Sequence, residues 1–74
     1  MINVDDIIRW EGGEMEVEEV LPFFASLIKS GAAWSLQGMY GRQAQAFING
    51  GYIDRMGNVT DAGTDLINHI ESER

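Results

Sequence analysis

The stretch VEEVLPFFASLIKS, residues 17–30, contains the clearest helical pattern in this 74-residue chain. Its apolar residues recur at the i, i+3, i+4 and i+7 positions that share one face of an α-helix. We expect the fully buried side chains of this helix to be Val20, Phe24, Leu27 and Ile28. Phe23 falls off that face and is expected to be exposed.

Charge and glycine mark the ends of this helix. Glu18 and Glu19 suit the positive end of the helix dipole, and Lys29 suits its negative end. Gly31 follows at the position where a left-handed cap is expected. Because Pro22 is comfortable only in a first turn, regular helix is predicted to begin near residue 19.

A short helix is predicted before this stretch and a less regular one after it. Asn3 is a good N-cap for the first helix, which a pair of glycines ends after about two turns. The later segment, WSLQGMYGRQAQAFINGG at residues 34–51, has helical spacing, but Gly38 and Gly41 weaken its first half. It predicts either one irregular helix, or a short helix, a turn at these glycines and a firmer helix over residues 42–49.

The end of the chain predicts a hairpin followed by a helix. Residues 52–54 and 58–60 are short extended segments, and Gly57 lies at the turn between them. Thr60 is placed to cap a last helix. The inward-facing residues of that helix are expected to be Leu66, Ile67 and Ile70. The chain, 1–74, is thus predicted to be a single, mainly α domain, a compact bundle of three to four short helices with a small C-terminal β-hairpin that resembles the end of a winged helix.

The net charge of -7 is unevenly distributed. Seven acids lie in residues 1–19 and five in residues 54–74. Residues 20–53 contain no acid, and their only charged residues are Lys29 and Arg42. Because most of this surface would repel a phosphate backbone, nucleic acid is an unlikely partner.

Membrane insertion and export are not expected. The uncharged runs in the middle of the chain are 9, 12 and 11 residues long, whereas a transmembrane helix needs about 20 apolar residues. The start of the chain has no basic region followed by an apolar run, and there are no cysteines. These features predict a cytoplasmic protein.

No constellation of catalytic or metal-ligating residues is visible. His69 is the sole histidine and lies near the end of the chain. The adjacent carboxylates, Asp5 with Asp6 and Glu18 with Glu19, do not face each other on a helix and are read as first-turn charges. We therefore expect no enzyme activity, no metal and no cofactor.

A candidate partner-binding surface lies in the segment at residues 34–51. Trp, Tyr, Met and Arg are enriched at the centres of protein interfaces. The candidate residues are Trp34, Gln37, Met39, Tyr40 and Arg42. The alternative is that Trp34 and Tyr40 belong to the core and that the glycines allow close helix packing. Arg42 must either pair with an acid from the chain ends or point at a partner.

The same segment resembles a family of small phage-encoded proteins of unknown function, common in actinobacterial phages. The recurring core of that family reads W-x-L-Q-G-x-Y-G-R-x-A, followed by an aliphatic pair and a glycine. The matching residues are Trp34, Leu36, Gln37, Gly38, Tyr40, Gly41, Arg42, Ala44, Phe47, Ile48 and Gly51. Gln43, where a small hydroxyl residue is usual, and Pro22 depart from the pattern. The resemblance spans roughly residues 7–53 and implies the cytoplasm of an infected bacterium, but no reaction.

Two functions are compatible with these observations. The first is a non-enzymatic phage accessory protein that binds a protein, either itself as a homo-oligomer or a host factor. The alternative is a winged-helix-like DNA-binding regulator, because the end of the chain has a helix, two short extended segments joined by a turn, and a last helix. Against it, Arg42 is the only base of its predicted helix.

Overall fold

The computed structural model describes residues 4–36 and 38–73, and this part of the chain is mainly helical. Its helices are α1 (Val4–Glu11), α2 (Val17–Ser30), α3 (Ala32–Ser35), α4 (Gly38–Asn49) and α5 (Asp61–Ser72). Five helices thus replace the three to four that were predicted. The central element is α2, which contacts α3, α4 and α5.

The start of α2 differs from the prediction. The helix begins at Val17, two residues before the expected position, because Glu16 and Glu19 satisfy each other's backbone. The Glu16 amide donates to the Glu19 carboxylate at 3.2 Å, and the Glu19 amide donates to the Glu16 carbonyl at 2.9 Å. Pro22 therefore lies in the second turn, where it is exposed. At the other end, Gly31 adopts the expected left-handed conformation with φ of 82°.

The core forms around α2, with two differences from the prediction. Its buried residues are Leu21, Phe23, Phe24, Ala25, Leu27, Ile28, Ala32, Ala33, Tyr40, Ala44 and Ile53. Phe23, expected to be exposed, is buried because the Trp10 ring covers it, with ring centroids 6.3 Å apart. Val20, expected to be fully buried, is only partly buried. The predicted burial of Phe24, Leu27 and Ile28 is confirmed.

Helix α1 is attached to the core mainly through one aromatic side chain. The Trp10 ring lies 5.2 Å from the Phe24 ring and 5.0 Å from the Tyr40 ring, measured between centroids. Ile7 also packs against the core, whereas Val4 and Ile8 are exposed. No residue of α1 is buried.

The break in the middle of the chain does not fall at the predicted glycines. The short helix α3 ends at Ser35, and α4 then runs without interruption from Gly38 through Gly41 to Asn49. Gly41 is an ordinary position of this helix, and a side-chain carbon there would meet its neighbours at van der Waals distance. A Cβ atom there would lie 3.5 Å from the Ala33 carbonyl oxygen.

The predicted C-terminal β-hairpin is wrong, and with it the winged-helix-like end. The described residues contain no strand, only one isolated antiparallel bridge between Ile53 and Val59. The connection is instead a tight loop, in which the Asp54 carboxylate accepts bonds from the Met56 and Asn58 amides, both at 2.9 Å. Two backbone bonds join the segments on either side of the loop, from the Asp54 amide to the Asn58 carbonyl at 2.9 Å and from the Thr60 amide to the Tyr52 carbonyl at 3.0 Å, which is too few to form strands.

The loop packs directly on α2, and α5 begins soon after it. A Cβ atom on Gly57, which has φ of 88°, would lie 2.6 Å from the Lys29 amide nitrogen and 2.7 Å from the Ala25 carbonyl oxygen. Glycine is therefore required at this contact. Thr60 caps α5 as predicted, its hydroxyl accepting a bond from the Gly63 amide at 3.1 Å.

Candidate binding surface

The corner between α3 and α4 presents an exposed tryptophan. Trp34, in the single turn of α3, has 52% of its surface exposed. Its ring edge packs over α4, since a Cβ atom on Gly41 would lie 3.8 Å from Cε3 of Trp34. The indole therefore has support on one side from the helix and faces solvent on the other.

Arg42 lies on the same corner and is exposed. Its guanidinium extends back along α4, so that Nη1 would lie 3.3 Å from a Cβ atom on Gly38. Among residues 4–36 and 38–73, Arg9 forms ion pairs with Asp6 and Glu19, and Nε2 of His69 lies 3.1 Å from Oε1 of Glu73. None of these contacts includes Arg42. Within the described chain, the Arg42 charge is thus not neutralised by a carboxylate.

The remaining predicted site residues have different surroundings. Met39 is 41% exposed on α4, next to this corner. Gln37 lies outside the described residues. Tyr40 is only 2% exposed, and its hydroxyl donates a bond of 2.8 Å to Oε1 of Glu11. Its ring is therefore part of the core. Among the described residues, the accessible members of the predicted site are Trp34, Met39 and Arg42. We call these three residues the Trp34 surface.

The burial of Tyr40 is accompanied by a change in its acidity. Desolvation is the main cause, and the bond to Glu11 adds to it, and together they raise the pKa of Tyr40 from 10.0 to about 12. The phenol stays neutral at physiological pH and joins α4 to the end of α1. Tyr40 is therefore a structural link behind the Trp34 surface.

A second concave region lies between α1 and α2. It has a volume of about 320 Å³ and is lined by Asp6, Arg9, Met15, Glu18, Glu19, Pro22, Phe23 and Ser26. Arg9 bridges the carboxylates of Asp6 and Glu19, and its hydrogen bond holds the pKa of Glu19 below its ordinary value. These carboxylates stabilise the junction of the two helices and do not form an acid/base pair.

A third feature, an apolar groove, was not found from the sequence. It has a volume of about 110 Å³ and is lined by Val20, Leu21, Phe47, Leu66, Ile67 and Ile70. The sequence pattern placed Leu66, Ile67 and Ile70 of α5 inward. Leu66 and Ile67 pack against the core, whereas Ile70 is partly buried and lines the groove. The pattern did not show that α2, α4 and α5 leave a gap between them.

Within the part of the chain that the structure describes, no group of three or more His, Asp or Glu side chains is placed to hold a metal ion. None of the helices in residues 4–36 and 38–73 has the length and apolar character needed to cross a bilayer. The features with binding potential are therefore the Trp34 surface, the α1–α2 cleft and the apolar groove.

The fold and these surfaces define a small, acidic, helical protein with an exposed aromatic and cationic corner. The chain belongs to the family described as Domain of unknown function (DUF7417), which matches residues 2–71. No curated protein shows significant similarity to the chain, and neither does any solved structure. The match extends beyond residues 7–53, the span of the phage-protein resemblance, over the C-terminal loop and α5 as far as Glu71.

Proposed function

We propose that this protein is a non-enzymatic phage accessory protein that works in the cytoplasm of the infected bacterium by binding another protein through the Trp34 surface. The partner is either a host factor or a second copy of the chain. One observation carries the proposal: Trp34 and Met39 are exposed beside Arg42, whose charge has no carboxylate partner in the described chain.

The chemistry of this corner is that of an interface centre. Covering an exposed indole with a partner lowers the free energy of the complex, and a guanidinium binds a carboxylate or stacks on an aromatic ring. Because Trp34 packs on Gly41 and Arg42 extends over Gly38, both side chains are positioned by the α3–α4 corner. A positioned side chain loses less entropy on binding than a freely rotating one.

The Trp34 surface must be the centre of a larger contact. Stable interfaces bury about 800 Å² on each partner, which is roughly one sixth of the 4792 Å² of accessible surface of this chain. Three side chains cannot supply that area. The surrounding residues of α3 and α4 carry no acid, so they are compatible with an acidic partner surface.

The alternative, a DNA-binding regulator, has less support. A wing requires a β-hairpin, and the described residues have only the Ile53–Val59 bridge. On α4, the helix that would enter the major groove, Arg42 is the only base. The net charge of -7 opposes binding to phosphates.

The direct test reverses the charge of Arg42. We expect Arg42→Glu to keep the circular dichroism spectrum and melting temperature of the wild type, because Arg42 is exposed and has no internal ion pair. The variant should lose the host protein that the wild type captures from bacterial lysate, or lose self-association in sedimentation. Trp34→Ala should have the same effect.

The matched control is Arg55→Glu, which makes the same charge change at an exposed residue of the C-terminal loop. This control should bind as the wild type does. If Arg42→Glu unfolds the protein, or if it stays folded and retains every partner, the Trp34 surface is not the binding site.

A further inference from the structure

The apolar groove lies between two helices that run in opposite directions. The loop before α5 packs against Ala25 and Lys29, near the end of α2. Ile70, near the end of α5, shares the groove with Val20, near the start of α2. The C-terminal end of α5 therefore lies beside the N-terminal end of α2.

The size and lining of the groove select an apolar side chain. Its walls are aliphatic, apart from the Phe47 ring, and its volume is about 110 Å³. That is smaller than the roughly 150 Å³ apolar cavity known to bind benzene. One leucine, isoleucine or methionine side chain is the kind of group that fits it.

The charge around the groove selects a basic partner. Glu71 follows Ile67 by four residues and Glu73 follows Ile70 by three, so both carboxylates border the apolar face of α5. Both are exposed. An apolar opening bordered by these two carboxylates is complementary to an aliphatic side chain flanked by Lys or Arg.

We propose that the groove formed by Val20, Leu21, Phe47 and the apolar face of α5 binds a basic peptide segment that inserts one aliphatic side chain. The segment belongs to a protein other than this one. A second copy would bring its own acidic residues to the same place, and its net charge of -7 would oppose the contact. This site is separate from the Trp34 surface and does not depend on the function proposed for it.

The test uses a short synthetic peptide in which two leucines are flanked by lysines. Titration of the full chain, followed by heteronuclear NMR, should shift the signals of α5 and of Val20. A peptide with the same lysines but alanines in place of the leucines should bind at least about tenfold more weakly, because it leaves the groove empty. A peptide with glutamates in place of the lysines should not bind.

Matched variants of α5 test whether the carboxylates beside the groove contribute to peptide binding. Glu71→Lys should weaken binding of the leucine–lysine peptide by about tenfold, because it places a cation beside the groove. Asp65→Lys makes the same change of net charge on the opposite face of the same helix, where Asp65 is exposed, and should have a much smaller effect. Arg42→Glu should bind this peptide at least as well as the wild type, which separates this site from the Trp34 surface.

A groove-filling variant locates the apolar contribution. Val20→Phe should occupy the gap and abolish binding of the leucine–lysine peptide. Equal binding of the leucine and alanine peptides would overturn the proposal, as would equal effects of Glu71→Lys and Asp65→Lys. A dimer in sedimentation that Glu71→Lys strengthens and Val20→Phe dissociates would assign the groove to a second copy and would also overturn it.

Discussion

Tyr40 shows how one side chain is assigned to the core although its type is common at interfaces. Its helical spacing with Ala44 and Phe47 predicts an inward position, and the structure buries it against the Trp10 ring. Residue type alone gave the opposite expectation, because tyrosine is enriched in binding sites. Here periodicity was the better guide, since burial follows from the helix face and not from chemical type.

Trp34 could not be assigned in the same way. It lies before the break at Leu36, whereas Tyr40 lies after it, so no single helical period relates the two residues. The sequence predicted either one irregular helix with no break or a turn at Gly38 to Gly41, which is two to five residues after Leu36. The sequence therefore did not fix the orientation of α3 relative to α4. The exposure of Trp34 depends on that orientation.

The raised pKa of Tyr40 predicts a loss of stability at alkaline pH. Its folded-state pKa of about 12 lies above the unfolded value of 10.0. The contribution of the neutral Tyr40 phenol to the free energy of unfolding is therefore complete below about pH 10 and is lost as the pH rises towards 12. Urea unfolding across this range should show the loss in the wild type and a smaller one in Tyr40→Phe. An equal decline in both proteins would mean that the buried phenol does not cause it.

At the scale of the elements, α2 was the most predictable part of the chain. The helical spacing of its apolar residues predicted the helix and the burial of Phe24, Leu27 and Ile28. The glycine cap predicted where the helix ends. Phe23 was predicted wrongly, because a single apolar stripe assumes that one face is covered. In this protein α1 covers a second face, through Trp10, and the sequence of α2 contains no information about that contact.

Leu27→Ala tests the central position of α2. Leu27 is 1% exposed, so its truncation should lower the free energy of unfolding by about 2 to 5 kcal/mol. Ser26→Ala, at the neighbouring exposed position, should change it by less than about 0.5 kcal/mol. Chemical denaturation of the two variants gives the comparison. A Leu27→Ala melting temperature within a few degrees of the wild type would contradict the assigned core.

The C-terminal loop shows why short extended segments are difficult to interpret. Residues 52–54 and 58–60 have the composition of a small hairpin, but they are too short to form strands. Only two backbone bonds join them, from the Asp54 amide to Asn58 and from the Thr60 amide to Tyr52, and the Asp54 side chain accepts the Met56 and Asn58 amides within the loop. Gly57 then fits against α2 at a contact formed by residues far away in the sequence. Neither a side-chain bond to the backbone nor a tertiary contact is visible in a pattern of apolar residues.

At the scale of the whole molecule, the net charge limits the macromolecules that this protein is expected to bind. We expect no measurable binding to duplex DNA at about 0.15 M salt, because a net charge of -7 gives no gain from counterion release. A gel shift with increasing protein provides the measurement, and a basic DNA-binding domain provides the positive control. Micromolar affinity at this salt concentration would instead support the DNA-binding alternative.

The way α1 is attached has a consequence for the dynamics of the protein. None of its residues is buried, and it is held by Trp10, by the Tyr40–Glu11 bond and by the Arg9–Glu19 pair. Regions with few buried contacts open at a lower free energy than the global transition. The amide hydrogens of α1 should therefore exchange with solvent faster than those of α2. Each opening exposes the rings of Phe23, Phe24 and Tyr40, which Trp10 otherwise contacts. We therefore expect the aggregation rate of this protein to rise when α1 is made less stable.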